Sequence, residues 1–213
     1  LKMNIAILRF VTEEKVDNTQ GEKLRGYIGN LFKDKVLLHN HVSLYELLYQ
    51  SPLVQYKVID GVLCVLGINK GIEVIKENLL SIKEILLDSK KYLVKEIEVE
   101  EFEHNLVIGE SLNRYRFETL WIALNSENYA RYKEGKYDLN KALTNNLIEF
   151  FKMSGIWADK PILVNGIFKA NPVTKKDTKL IGFSGEFVCN IDLPEFIGLG
   201  KRKSIGFGMI KRA

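Results

Sequence analysis

An Asp-Gly pair between two apolar runs is the feature that most restricts how this chain can fold. Asp60 and Gly61 separate Val54–Ile59 from Val62–Ile68. A pair of this kind favours the tight two-residue turn that joins neighbouring antiparallel strands. The first half of the chain is therefore predicted to contain a β-hairpin, around which its other elements must be arranged.

Elements of both kinds are predicted on either side of this hairpin. Residues 4–11 alternate and are rich in Ile and Leu, which predicts a first strand, and Thr19-x-x-Glu22 is a capping box that predicts a helix to about Phe32. After the hairpin, apolar residues recur at helical spacing at Ile72, Ile75, Leu79, Ile82 and Leu86. A strand is then predicted near residues 92–99. This order of strand, helix, strand, strand, helix and strand is typical of a ferredoxin-like fold.

The second half of the chain is predicted to follow a less regular version of the same plan. Its predicted strands are residues 115–125, 161–169, 180–191 and 204–211, with a polar turn at 171–179 and helices at Ser126–Lys133 and 138–153. No sequence repeat between the two halves is visible at the level of residue identity, so the inferred duplication rests on element order alone. The predicted fold class is α+β, with two tandem ferredoxin-like (RRM-like) domains at residues 1–110 and 111–213. Each domain is expected to hold an antiparallel sheet with helices on one face.

The bulk composition agrees with two small globular domains. The chain has 213 residues, of which 46% are hydrophobic and 27% charged. No apolar run approaches the roughly 18 residues of a membrane span, and no signal-peptide pattern is visible, so we expect a cytoplasmic protein without a membrane partner. Cys64 and Cys189 lie in apolar, strand-like runs. They are predicted to be buried free thiols, with no disulfide and no zinc site.

A glycine-rich basic segment near the C-terminus predicts a polyanion-binding loop. Residues 198–208 read Gly-Leu-Gly-Lys-Arg-Lys-Ser-Ile-Gly-Phe-Gly, and such a loop can present backbone N–H groups and cations to phosphate. Residues 196–213 contain five of the 31 basic residues and no acidic residue, so the rest of the chain holds 26 basic against 27 acidic residues. A basic excess confined to one loop indicates a polyanion contact at that place. A solvated surface turn is the alternative.

Two well-known nucleotide-binding loops are excluded by spacing. Glu195 stands where a Walker loop needs its first glycine, and Arg202 stands where it needs Ser or Thr. Lys203 occupies the place of the third glycine of a dinucleotide-binding fingerprint. We therefore expect no nucleotide cofactor in this loop.

Two of the three histidines lie close together and ahead of a second capping box. His39 and His41 can converge on one site in a loop or strand but not in a helix, because residues two apart share a face only in an extended segment. Tyr45 and Tyr49 share a face if a helix begins at Ser43. Histidine exchanges protons near neutral pH, so this segment is a candidate for acid–base catalysis.

Two other interpretations of the histidine pair remain open. A metal site is the first, although two histidines without a nearby third ligand make a weak one, and Glu46 is better explained as the capping partner of Ser43. The second is a polar surface loop. No nucleophile elbow, His-Glu-x-x-His motif or Cys-His pair accompanies the histidines, which excludes the common hydrolases.

Taken together, these segments resemble a known family. The resemblance rests on Leu24-Arg-Gly-Tyr-Ile-Gly-Asn-Leu-Phe32, on His39-Asn-His41, on Pro52-Leu-Val-Gln-Tyr-Lys57 before the Asp-Gly pair, and on residues 198–208. In these features the chain resembles the CRISPR-associated repeat-RNA endoribonucleases of the RAMP superfamily, and among them the b-type branch of the Cas6 family. The glycine-rich loop alone is shared by many RAMP proteins, but its combination with the N-terminal pattern is more specific.

The resemblance implies metal-independent cleavage of CRISPR precursor RNA within each repeat, which yields mature crRNA without a cofactor. The attacking group would be the 2′-hydroxyl of the RNA, and the products would carry a 2′,3′-cyclic phosphate and a 5′-hydroxyl. His41 or His39 would serve as acid and base, and Tyr49 or Tyr45 as a proton partner or orienting donor. His41 is the first choice because it lies nearer the tyrosines.

The resemblance also implies an RNA-binding role for the C-terminal segment. The residues expected to contact RNA are Gly198, Gly200, Lys201, Arg202, Lys203, Ser204, Gly206, Phe207, Gly208 and Lys211, with Lys175, Lys176 and Lys179 extending the basic track. Phe207 could stack a base, since residues 206–210 approach the core signature of RNA-recognition motifs. The expected partner is CRISPR repeat RNA, either single-stranded or a weak hairpin. Association with subunits of a CRISPR effector complex and homodimer formation remain open.

Two alternative functions are compatible with the same fold. A non-catalytic RAMP-type subunit of a CRISPR effector complex would hold RNA with the same loop, but binding alone does not require the histidine pair. A ferredoxin-like module for small molecules or dimerisation would not bind RNA. RNA affinity that falls steeply with salt would argue against that last interpretation.

Overall fold

The computed structural model describes residues 1–35, 38, 52–175 and 177–213. These residues divide into two compact units. The first comprises Leu1–Asn105 with Ser204–Gly206, and the second comprises Leu106–Lys203 with Phe207–Ala213. Both units combine helices with antiparallel sheets, which confirms the predicted α+β fold class. The division falls after residue 105, where the sequence had suggested a boundary after residue 110.

The first unit contains one main sheet, a short hairpin and two described helices. Its elements are β1 (Lys2–Val11), α1 (Gly21–Leu31), β2 (Val54–Ile59), β3 (Val62–Ile68), α2 (Lys70–Leu79), β4 (Glu84–Leu87), β5 (Lys90–Leu93) and β6 (Glu96–Asn105). The main sheet has the order β2-β3-β1-β6, and β4 pairs with β5. Because β1 is a central strand flanked by β3 and β6, the sheet has the strand arrangement of a ferredoxin-like unit.

The hairpin predicted from the Asp-Gly pair is present between β2 and β3. Ile59 pairs with Val62, and the two turn residues have positive φ angles of 51° at Asp60 and 78° at Gly61. Two consecutive positive φ angles are typical of the turn that matches the right-handed twist of antiparallel strands. The sequence prediction is therefore confirmed in register as well as in type.

The core of the first unit forms where both helices cover the sheet. Alternate residues of β1 and β2, which include Leu8, Phe10, Val54 and Tyr56, pack against α1 and α2 in one buried cluster. The cluster gathers apolar side chains that lie far apart in sequence, and their removal from water is the main stabilising contribution to the fold.

Two predicted features of the first unit are wrong in detail. The capping box at Thr19 is not formed, because Asp17 Oδ1 accepts hydrogen bonds from both the backbone N–H and the hydroxyl of Thr19. The apolar periodicity that runs to Leu86 spans two elements rather than one helix. The helix α2 ends at Leu79, and the chain then turns into the strand β4.

The second unit contains a four-stranded sheet and two helices. Its elements are β7 (Ile108–Phe117), α3 (Ser126–Lys133), α4 (Leu139–Met153), β8 (Val164–Lys175), β9 (Thr178–Ile191) and β10 (Ile210–Arg212), and the sheet order is β10-β7-β9-β8. Its core is aromatic, with ring centroids 5.1 to 6.4 Å apart among Tyr115, Phe117, Trp121, Phe168, Phe183 and Phe187. Trp121 Nε1 donates to Asn146 Oδ1 of α4 at 2.9 Å, which links the sheet side of this core to the helix.

The strand limits in the second unit differ from the sequence prediction. The predicted polar turn at 171–179 is wrong, because β8 and β9 pair continuously as far as Lys175 and Thr178. Pro172 is tolerated within β8 because this strand lies at the sheet edge, where a missing N–H donor need not interrupt a ladder. The strand predicted at 115–125 ends at Phe117, and that predicted at 204–211 is confined to β10.

Several remaining expectations concern cysteines and membrane association. Cys64 and Cys189 are buried free thiols, as predicted. Burial raises the pKa of Cys64 to about 12 and that of Cys189 to about 11. None of the helices in the described part of the chain has both the length and the apolarity needed to cross a bilayer.

Candidate functional site

The glycine-rich loop, residues 198–208, is held by backbone hydrogen bonds. Leu199 N–H donates to Gly208 O at 3.0 Å, Lys201 N–H donates to Ile122 O at 2.9 Å, and Gly208 N–H donates to Leu120 O at 2.8 Å. These bonds tie the loop at both ends to the segment that follows β7. The loop therefore presents its cations from a defined backbone.

Glycine is required in this loop by close backbone packing. Gly208 has a φ of 65°, and a Cβ at this position would fall 1.9 Å from Leu199 O. At Gly200, with a φ of 86°, a Cβ would lie 2.6 Å from Trp121 Nε1. A side chain at either position would force the loop apart, so these glycines are explained by the fold of the loop whether or not phosphate binds.

The three adjacent cations of the loop differ in exposure. Lys201 and Arg202 are exposed, whereas the Lys203 side chain is largely buried and its Nζ lies 3.5 Å from Glu149 Oε2. Burial lowers the pKa of Lys203, and the neighbouring carboxylate only partly offsets this effect. Lys201 and Arg202 are thus the cations of this group best placed for an external anion.

Two further cations expected to contact RNA lie over aromatic rings. Lys175 Nζ lies 5.5 Å from the centroid of the half-buried Phe207 ring. Lys211 Nζ lies 5.9 Å from the centroid of Phe196, and Lys211 pairs in register with Arg116 of β7. These contacts hold ammonium groups beside aromatic faces, an arrangement that suits base stacking together with phosphate binding.

The candidate catalytic residues His39, His41, Tyr45 and Tyr49 lie outside the described residues, as does Lys176. Their roles stay predictions. The structure does describe Leu38, which directly precedes His39 and is fully buried. Its carbonyl accepts a hydrogen bond of 2.6 Å from the hydroxyl of Tyr56 in β2.

A short piece of the glycine-rich loop lies against the opposite end of the same tyrosine. Ser204–Gly206 belongs to the first unit, where a Cβ on Gly206 would lie 3.3 Å from the Tyr56 carbonyl oxygen. A Cβ on Gly21, at the start of α1, would lie 2.4 Å from Ile205 O and 2.9 Å from Tyr56 O. The loop piece is thus held between the first turn of α1 and β2.

One residue near the loop was missed as a site residue by sequence reasoning. Lys57 follows Tyr56 in β2 and is fully buried, with its Nζ donating to Gln55 Oε1 at 2.9 Å. Burial lowers the pKa of Lys57 to about 7. A Cβ on Gly206 would lie 3.7 Å from the Lys57 Cα. The backbone of Lys57 therefore lies against the loop piece Ser204–Gly206. The available sequence signal was a lysine between Tyr56 and Val58 in a predicted strand.

A metal site has no support among the described residues. No group of three or more His, Cys, Asp or Glu side chains from this part of the chain is positioned to hold a metal ion.

The comparisons with known proteins agree with one another. The profile of the Cas6b N-terminal domain matches residues 1–105, and that of the Cas6b C-terminal domain matches residues 107–213. An uncharacterized protein of Methanocaldococcus jannaschii is 34% identical over 146 aligned positions, which cover 64% of this chain and 97% of that protein.

Solved structures show the same similarity. A crystal structure of Cas6b has a TM-score of 0.92 and 26% sequence identity, with both chains covered completely. A crystal structure of the CRISPR RNA processing endoribonuclease Cas6b has a TM-score of 0.79 and 24% identity, again over the whole of both chains, and it supports the shared fold. With both domain profiles matched in order along the chain, this protein belongs to the Cas6b family.

Proposed function

We propose that this protein is an endoribonuclease that cleaves CRISPR precursor RNA within its repeats to produce mature crRNA. Membership of the Cas6b family supports this activity. The observation that carries it here is the position of Tyr56. Its carbonyl end lies against the loop piece Ser204–Gly206, and its hydroxyl holds Leu38, the residue before His39. Tyr56 therefore contacts both the loop piece Ser204–Gly206 and the residue that precedes the candidate acid–base segment.

The reaction needs no metal if the side chains supply a base, an acid and a cation. The 2′-oxygen of the RNA attacks the adjacent phosphorus, so that the O2′–P bond forms and the P–O5′ bond breaks. The base takes the 2′-hydroxyl proton, and the acid gives a proton to the departing 5′-oxygen. His41 and His39 are assigned these two roles, with Tyr49 or Tyr45 as the orienting donor. The products carry a 2′,3′-cyclic phosphate and a 5′-hydroxyl.

The cations of the glycine-rich loop would stabilise the charge that develops on the phosphorane. Lys201 and Arg202 are exposed on a backbone fixed by hydrogen bonds, so little reorganisation is needed when an anion arrives. Gly198, Gly200, Ser204, Gly206, Phe207 and Gly208 would shape this surface, and Lys175, Lys176 and Lys211 would extend it along the RNA.

The substrate would be a repeat that is single-stranded or forms a weak hairpin, and the reaction would take place in the cytoplasm. Association with CRISPR effector subunits and homodimer formation are further expectations of this function. Both can be measured by the mass of the protein in solution with and without repeat RNA.

Cleavage of end-labelled repeat RNA in excess EDTA tests the proposal. The RNA should be cut at one position, and a 2′-deoxy substitution at that position should abolish cleavage while leaving binding intact. His41→Ala or His39→Ala should lower the single-turnover rate by at least about 100-fold, the scale of general acid–base catalysis. Tight, salt-sensitive binding without cleavage would instead indicate a non-catalytic RAMP-type subunit.

A further inference from the structure

An exposed tryptophan lies beside a groove in the second unit, at the end of α4. Trp157 is 78% exposed, whereas the other tryptophan, Trp121, is fully buried. Burying a side chain of this size would stabilise the fold by about 2 kcal/mol or more. The exposure of Trp157 therefore requires an explanation in function or in local geometry.

The local backbone holds the indole away from the core. Ile156 is buried and its N–H donates to Phe151 O at 3.0 Å, which fixes the chain directly before Trp157. On the other side, Asn190 Nδ2 donates to Pro161 O at 3.1 Å, and Asn190 Oδ1 accepts from the Leu163 N–H at 2.8 Å. The segment between these anchors is pinned at both ends, so the indole is presented in a limited range of positions.

The groove beside the indole combines an apolar floor with two cations. Ile148 and Phe151 of α4 line it, and it encloses about 240 Å³. This volume is below the roughly 300–1,000 Å³ of sites for drug-sized ligands, so it suits one flat ring system. Lys152 and Lys160 also line it.

Both lysines are available to an external anion. Each is exposed, and neither forms an ion pair with a carboxylate in the described ranges of the chain. Asp159 lies between them in sequence, so Lys152, Asp159 and Lys160 together carry a net charge of +1. The groove thus favours a ligand that joins an aromatic ring to a negative charge.

We propose that Trp157 stacks an unpaired nucleobase of bound RNA, while Lys152 and Lys160 contact the neighbouring phosphates. An aromatic platform beside cations is the arrangement by which proteins hold single-stranded nucleic acid with little dependence on sequence. The proposal rests on the RNA-binding function proposed above and adds a second contact region to it. It concerns affinity rather than chemistry, because the residues involved are not those assigned to proton transfer.

Tryptophan fluorescence gives a direct test, because buried Trp121 is shielded and Trp157 supplies the quencher-accessible signal. A 2′-deoxy repeat RNA that binds but is not cut should shield Trp157 from acrylamide. Trp157→Ala should weaken RNA binding about five- to 150-fold, which corresponds to the roughly 1–3 kcal/mol of one base–aromatic stack. Trp157→Phe should retain most of the affinity.

Ile167→Ala is the matched control, since Ile167 is another exposed apolar side chain of the second unit, at 86% exposure. The RNA affinity of the Ile167→Ala variant should stay within about twofold of that of the parent protein. Unchanged acrylamide quenching together with unchanged affinity of Trp157→Ala would overturn the stacking proposal, while repeat cleavage would still support the proposed function. A change in self-association without a change in RNA affinity would assign the groove to a protein contact and would also overturn it. Failure of the parent protein to bind any RNA would overturn both proposals.

Discussion

The hydroxyl of Tyr56 donates a hydrogen bond of 2.6 Å to the carbonyl of Leu38, and both residues are completely buried. The carbonyl of the same tyrosine faces Gly21 and the loop piece Ser204–Gly206. Burial raises the pKa of the Tyr56 phenol, so it remains a protonated donor across the physiological range. One core residue thus contacts Leu38, which precedes His39 in the sequence, and part of the glycine-rich loop.

Removing this hydroxyl should lower both the stability of the protein and its rate of RNA cleavage. Tyr56→Phe removes the hydroxyl that donates to the buried Leu38 carbonyl, which should lower the free energy of unfolding by about 1–3 kcal/mol. The cleavage rate should fall because Leu38, the residue directly before His39, loses a hydrogen bond that fixes its position. Urea unfolding and single-turnover cleavage measure the two effects.

Tyr27→Phe is the matched control for this change. Tyr27 also donates its hydroxyl to a carbonyl of the first unit, that of Glu84, at 3.1 Å. The Tyr27→Phe variant should have a lower free energy of unfolding, but its cleavage rate should not fall to a comparable extent. Equal losses of cleavage in both variants, once stability is taken into account, would show that Tyr56 acts only through the general stability of the unit.

Two glycines of α1 should respond to alanine in opposite ways. Gly21→Ala places a Cβ 2.4 Å from Ile205 O, so α1 or the loop piece must move, and both stability and RNA affinity should fall. Gly26 has no atom within 4 Å of its Cβ position, so Gly26→Ala should raise the free energy of unfolding by up to about 1 kcal/mol. Thermal unfolding and RNA titration of both variants test this contrast, and a stable, fully binding Gly21→Ala protein would contradict it.

Buried Lys57 should make stability depend on pH. Its pKa is about 7 in the folded protein, below its ordinary value of 10.5, so the unfolded chain binds more protons between these values. The free energy of unfolding should therefore rise as pH increases from about 7 toward 10, by at most about 1.4 kcal/mol per pH unit. Lys57→Met should flatten this rise and stabilise the protein most at the acidic end. Urea unfolding at several pH values measures the slope, and parallel profiles would contradict the assignment.

The loop cations should differ in their contribution to RNA binding. Lys201→Gln and Arg202→Gln should each reduce the slope of log affinity against log salt by about 0.7, the value for one phosphate contact to a single strand. Lys203→Gln should reduce it less, because Glu149 already neutralises that lysine. Binding isotherms at four salt concentrations provide the slopes. Equal reductions in all three variants would show that RNA displaces Glu149 from Lys203.

Much of the fold was predictable because its signals are local. The Asp60-Gly61 turn, the apolar alternation of β1 and the helical spacing after the hairpin each depend on neighbouring residues, and together they gave the order of elements as far as α2. The β4–β5 hairpin was missed, and the strand predicted near 92–99 falls across β5 and β6. The charge excess of the C-terminal segment also drew attention to the glycine-rich loop. The family resemblance rested on residues 24–32, 39–41, 52–57 and 198–208, and it is confirmed by both domain profiles.

The errors in strand limits originate in long-range pairing, whereas the error at Thr19 comes from a competing local hydrogen bond. The polar residues 171–179 suggested a turn, but 171–175 belong to β8 and 178–179 to β9, and β8 accepts Pro172 because the strand lies at a sheet edge next to β9. The capping box at Thr19 was lost to Asp17, and residues 204–209 lie outside β10 because the loop backbone bonds to other partners. Competition between alternative hydrogen-bond partners cannot be read from the hydrophobic periodicity of the sequence.

The sequence by itself determined the fold class, the hairpin at Asp60-Gly61 and the family, because hydrophobic spacing and turn chemistry act over a few residues. Tertiary structure alone decided that Lys57 is buried beside the loop, that Lys203 pairs with Glu149, and that Trp157 remains exposed. Each of these outcomes depends on which distant residues the fold brings together. Burial then sets the pKa of an amine and the availability of a cation or an aromatic ring, and neither can be read from the residue type.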